Sequence, residues 1–212
     1  MTELFKKDTN VQVSRTDIRS VQKEYTTFVS PANCLGFMDG GIDWVLSREM
    51  FDGVEQAVRN RIERIGICTG LGRFYLPIGS ALLVPTNREH SYLISAPTMF
   101  LPHDVSETKN AYWSFLAALM LHKQWTEHTN IPTTLVVTSH CCGYGKMLPE
   151  VSANQMRQAY TDFCIGKVPE KVGFQTNPYV MLLQERDEEQ PNNYDNREIK
   201  QIAVTDVMLK RP

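Results

Sequence analysis

Phe28 to Val45 reads F-V-S-P-A-N-C-L-G-F-M-D-G-G-I-D-W-V, and the fold of the chain turns on this stretch. Thr27, Phe28 and Val29 make a short run of the kind that forms a buried strand, stopped by Ser30-Pro31. A loop follows, with a lone amide at Asn33 and a glycine pair at Gly40-Gly41. Ile42, Asp43, Trp44, Val45 and Leu46 then begin a helical pattern with an acid in its first turn. A strand feeding a glycine-containing loop and a helix start suits an anion. Glycine lets the backbone approach, amide N–H groups point outward, and the helix N-terminus is partially positive. By itself such a loop is equally an ordinary strand-to-helix connection.

A second junction of the same kind lies downstream. Thr133 to Ser139, T-T-L-V-V-T-S, reads as a central parallel strand. It leads into H-C-C-G-Y-G-K-M-L-P-E and a helix predicted from Pro149 to Cys164, with proline and Glu150 in its first turn. Between the junctions, apolar positions from Ile42 to Ile65 predict an amphipathic helix, or two broken near Asp52-Gly53. Gly66, Gly70 and Gly72 punctuate a loop, and Gly79–Val84 and Ser91–Ala96 read as buried strands around the polar turn Pro85 to His90. Ser106 to His128 predicts a long helix with Ser106 as N-cap. Upstream, Val11 to Ser14 is a marginal strand. Downstream, Tyr179 to Gln184 reads as a last strand, Glu185 to Arg197 as solvated, and Ile199 to Leu209 as an edge strand or short helix.

At 212 residues and 24.2 kDa the chain fits one domain, 1–212, able to bury a sizeable core. A net charge of -2 and pI near 6.2 give no basic footprint for general nucleic-acid binding, so an anionic ligand must be held by local geometry. No apolar run spans a bilayer and the N-terminus does not read as a secretory signal, so no membrane partner is expected. Five cysteines with Cys141-Cys142 adjacent make a poor disulfide framework, and a reducing compartment, cytoplasm or nucleus, is expected. Cys141 and Cys142 at a strand end read as small core hydrophobes. A zinc site from Cys34, His140, Cys141 and Cys142 lacks the usual spacing, and His122 and His128 read as surface or satisfied histidines. No metal is called for.

The two junctions, in this order, resemble macro domains, the ADP-ribose-binding fold. Ser30-Pro31-Ala32-Asn33 stands where that family has N-A-A-N, Gly40-Gly41 closes its glycine run, and Ile42-Asp43 stands at V-D, without a gap from Asn33 to Asp43. Cys142-Gly143-Tyr144-Gly145 is similar to the second signature, although Lys146-Met147-Leu148 replaces a single aromatic before the proline. Thr16-Asp17-Ile18-Arg19 is similar to the G-D-I-T element upstream. The resemblance covers about 17–163 and leaves 165–212 as a C-terminal extension, or a last strand plus tail. It implies a three-layer α/β/α fold with a mixed, mostly parallel central sheet.

The resemblance also implies roles. Asp17 and Ile18 would meet adenine, with Tyr179 the candidate aromatic against it. Asn33 would fix the distal ribose, Gly40, Gly41, Ile42, Gly143, Tyr144 and Gly145 would wrap the diphosphate and ribose, and Asp43 would activate water, with no cofactor needed. Two departures matter: Met38 and Asp39 replace the first two glycines of the run. Met38 suggests a tighter, more apolar wall, and Asp39 brings negative charge toward the diphosphate. Three functions follow from the resemblance. The first is hydrolysis of ADP-ribosyl or ADP-ribose 1″-phosphate linkages, with Asn33 and Asp43 catalytic. The second is a non-catalytic reader of ADP-ribose or a mono-ADP-ribosylated macromolecule. The third is an interaction scaffold that has lost nucleotide binding.

Overall fold

The central strand β1, Thr26–Ser30, is buried at every residue. Burial on both faces is what a strand covered by helices above and below requires. The computed structural model describes residues 2–21, 25–68 and 72–166. The loop after β1 enters α1, Gly41–Trp44, which widens into a π-helical turn, Val45–Met50. Gly53 then turns the chain at φ 77° into α2, Val54–Ile65, so the predicted break at Asp52-Gly53 is present. A small antiparallel pair, β2 (Ile67–Cys68) and β3 (Phe74–Tyr75), lies beyond it. The main sheet continues with β4, Leu82–Pro85, and β5, Ser91–Ser95, followed by α3, Asn110–Thr129. Last come β6, Thr134–Val136, and α4, Pro149–Cys164.

The sheet order is β4-β5-β1-β6. β1 runs parallel to β5 (Thr26 opposite Ser91) and to β6 (Thr26 opposite Thr134), while β4 pairs antiparallel with β5. This is the mixed, mostly parallel α/β sheet the sequence implied. Parallel neighbours place the C-terminal ends of β1, β5 and β6 on one edge, where open α/β sheets hold ligands.

Two apolar clusters hold the layers. The larger joins Phe28 and Val29 to Leu46, Val54, Val58 and Ile62 on one side and to Ala117, Ala118 and Leu121 of α3. The second joins α3 to α4 through Tyr112, Phe115, Leu116, Met156 and Tyr160, with Phe5 of the N-terminal segment. Arg157 of α4 pairs with Asp8 and fastens that segment.

Three expectations need correction. Val11 to Ser14 forms no strand; Val11 and Val13 pack irregularly against the α3–α4 cluster. The helix predicted from Ser106 starts at Asn110. Asp104 Oδ1 accepts from the Ser106 amide and hydroxyl, Thr108 Oγ1 accepts from the Asn110 amide, and Val105 is buried with its N–H on Gly145 O. That tether holds 104–109 out of the helix. The strand read as central, at Thr133–Ser139, is short and pairs only with β1 among the described residues. Tyr179 and the rest of 167–212, like Gly70, lie outside the described residues. Among the described residues no helix is long and apolar enough to cross a membrane.

Candidate functional site

A cavity of about 300 Å³ opens at the C-terminal edge of the sheet. One wall is the β1–α1 loop, from Pro31 through Asn33 and Phe37 to Asp43, and the opposite wall is the β6–α4 loop, from Thr138 to Gly145. Thr98, Met99 and Pro102 of the β5–α3 connection make the third. Nothing in the sequence reading singled these three out; the parallel pairing of β5 with β1 brings them there. Thr98 Oγ1 donates to Pro31 O at 2.9 Å and Cys34 N to Met99 O at 2.8 Å, binding two walls together.

The cavity brings together Asn33, Gly40, Gly41, Ile42, Asp43, Gly143, Tyr144 and Gly145. Asp17 and Ile18 do not line it. Asp17 caps a 3-10 turn at Ile18–Ser20, and hydrogen bonds from Arg19 hold its carboxyl down to about 2. Ile18 packs at the edge of the larger core cluster.

Asp43 is a carboxyl group set in the wall. Ser30, the last residue of β1, donates its hydroxyl to Asp43 Oδ1 at 2.6 Å. Burial pushes the Asp43 carboxyl up to about 6; the Ser30 bond pulls the other way, and the negative charge of Asp39 adds to the rise. Asn33 is also in the wall, but its amide organises its own loop. Nδ2 donates to Phe37 O at 2.7 Å, and Oδ1 accepts from the amides of Leu35 and Phe37. The side chain thus retains one free donor hydrogen for any guest.

The two glycine loops meet across the mouth. A methyl on Gly40 would lie 2.9 Å from Tyr144 Cε2, so Gly40 provides the seat for that exposed ring. Gly145 is tighter still: a methyl there would lie 2.6 Å from Cys141 O and 2.7 Å from Val105 Cγ2. Burial pushes the Cys141 thiol up to about 12, which keeps it an inert thiol at neutral pH. His140 is fully buried, edge-on to Phe115, and outside the cavity, so it gives neither cysteine a base there. His122 bonds Thr133 Oγ1 at 2.7 Å. Among the described residues no group of three or more His, Cys, Asp or Glu side chains could hold a metal ion.

No protein-family model matches the sequence, and no curated protein is significantly similar to it. Solved structures are. The macrodomain of Mycobacterium tuberculosis DarG aligns at TM-score 0.53 and 19% identity, over 71% of this chain and 89% of that one. This is a macrodomain fold. The Oceanobacillus iheyensis macrodomain with MES bound aligns at TM-score 0.51 and 17% identity, over 66% of this chain and 71% of that one. A mutant of the same protein with ADPR aligns at TM-score 0.51 and 16% identity, over 66% and 72%.

Within this macrodomain fold the two departures in the glycine run point opposite ways. Met38 has no exposed surface and belongs to the larger core cluster, so it does not tighten the ligand wall as expected. Ser47 Oγ donates to Met38 O at 2.8 Å and fixes that orientation. Asp39 faces outward and lines the cavity. In the sequence Ser30 is a strand stop and the first residue of the segment standing at N-A-A-N; a small hydroxyl at the end of a central parallel strand was the available signal for its contact with Asp43.

Proposed function

We propose that the cavity binds ADP-ribose or an ADP-ribose derivative. The observation that carries this is the convergence of both glycine loops on one cavity at the C-terminal edge of a macrodomain sheet. Backbone amides of Gly40–Ile42 and Gly143–Gly145 would cradle the diphosphate without a cationic side chain. This accounts for anion binding by a chain of net charge -2. The open volume of about 300 Å³ argues against the scaffold reading, because inward-facing Met38 leaves the space free. The macrodomain neighbour with ADPR supports the same ligand.

A second reading, hydrolysis of an ADP-ribosyl linkage, is favoured by Asp43. A carboxyl in the cavity wall, held by Ser30 and raised to about 6, suits a group that accepts a proton from an attacking water near neutrality. In this reading Asn33 holds the loop rather than the ribose.

Titration calorimetry with ADP-ribose, with AMP and ATP as controls, tests the first reading. Selective micromolar binding is expected, and no heat at high concentration removes it. Single-turnover assays on mono-ADP-ribosylated protein test the second. Turnover that survives Asp43→Ala unchanged removes that residue from the chemistry.

A further inference from the structure

Among the described residues, the lining of the cavity contains two carboxyl groups, Asp39 and Asp43, and no lysine, arginine or histidine. Lys146, next in the chain to Gly145, does not line it and pairs with Asp104 at 3.6 Å. Among the described lining residues, the groups that could offset an anion are therefore backbone amides. Asp43 sits within the wall under the Ser30 hydroxyl, whereas Asp39 is exposed at the rim. A ligand joined to a macromolecule must leave its linked end at the mouth. Of the two carboxyl groups in the described lining, Asp39 is exposed and Asp43 only partly so.

We infer that Asp39 is a specificity-determining residue that favours ADP-ribose attached to a cationic acceptor, an arginine guanidinium, and disfavours ADP-ribose carrying a further phosphate. This rests on the reading of the cavity as an ADP-ribose site and deepens it. An N-linked guanidinium keeps its positive charge and meets the rim carboxylate in the fork geometry that arginine and carboxylate share. A terminal phosphate placed at the same point meets two carboxylates, with no lysine, arginine or histidine among the described lining residues to offset them. Asp39 stands just before the N-cap Gly40, outside the core, so its removal leaves the packing of α1 in place.

The test compares four ligands on the parent chain and on Asp39→Asn: ADP-ribose, ADP-ribose 1″-phosphate, and one short peptide ADP-ribosylated on arginine or on serine. The parent is expected to bind the arginine-linked peptide about tenfold more tightly than the serine-linked one, a difference of about 1.4 kcal/mol. It is expected to bind the 1″-phosphate more weakly than ADP-ribose. Asp39→Asn should shrink both differences to within about twofold, and added salt should shrink them in the parent. Equal changes for all four ligands on Asp39→Asn, or no preference in the parent, overturn the inference while leaving the ADP-ribose site standing. Failure of the parent to bind any of the four overturns both.

Discussion

Ser30 Oγ donates to Asp43 Oδ1 over 2.6 Å, tying the last residue of β1 to a carboxyl thirteen residues on, in the first turn of α1. The bond spans the loop that forms one wall of the cavity. It holds the carboxyl in a setting where burial disfavours its charge.

This setting fixes a pH dependence. The folded chain holds the Asp43 proton up to about 6, and the unfolded chain releases it near 3.8. Between those values the folded state binds more protons, so this residue's contribution to stability falls as pH rises and is level above about 6. The difference amounts to on the order of 3 kcal/mol. Asp43→Asn removes the ionisation and keeps an acceptor for Ser30. It should be more stable than the parent by about 1–3 kcal/mol at pH 7.5 and equal to it near pH 4, by urea denaturation. Burial pushes His140 down to about 4, so its contribution rises with pH through part of the same window. The comparison must therefore be variant against parent at each pH. Ser30→Ala, which removes a bond that lowers the Asp43 pKa, should move the carboxyl titration upward in carbon-13 NMR.

The glycines of the two loops should separate into different kinds. Gly145→Ala drives a methyl against the Cys141 carbonyl and Val105, and should cost about 2–3 kcal/mol. Gly143→Ala meets nothing within 4 Å and should change stability by less than about 0.5 kcal/mol. Gly40→Ala touches only the exposed Tyr144 ring on an extended backbone, φ -151°. It should leave stability near the parent value and weaken ADP-ribose binding several-fold. In a Tyr144→Ala background that loss should disappear.

Met38→Ala should behave as a core truncation. The side chain is fully buried beneath the loop, so the cost should be about 2–4 kcal/mol in chemical denaturation. ADP-ribose affinity measured well below the melting temperature should change less than twofold. A large affinity change with intact stability would place Met38 in the ligand wall after all.

Asp17→Ala should affect ADP-ribose and ribose 5-phosphate alike. The carboxylate is engaged by Arg19, itself paired with Glu49, and lies off the cavity. A selective loss for ADP-ribose would instead make Asp17 an adenine contact.

The sequence by itself determined the order of the main-sheet strands β1, β4, β5 and β6 and of the long helices, but not the small pair β2 and β3. α4 occupies Pro149–Cys164 as read, because proline and Glu150 in the first turn are local signals that packing had no reason to override. β1, the break at Asp52-Gly53 and the two glycine junctions were legible for the same reason: each rests on residues adjacent in the chain. Only the tertiary structure decided which way the loop residues face. Met38 turns into the core because Ser47 of the following helix fixes its carbonyl, and the next residue, Asp39, is thereby left at the rim. Asn33 keeps its amide for Phe37, Asp17 meets Arg19 instead of the cavity, and α3 starts late because Val105 is bound to Gly145. These outcomes depend on partners from distant or competing segments, and a hydrogen bond across the fold leaves no mark on the spacing of residues along the chain.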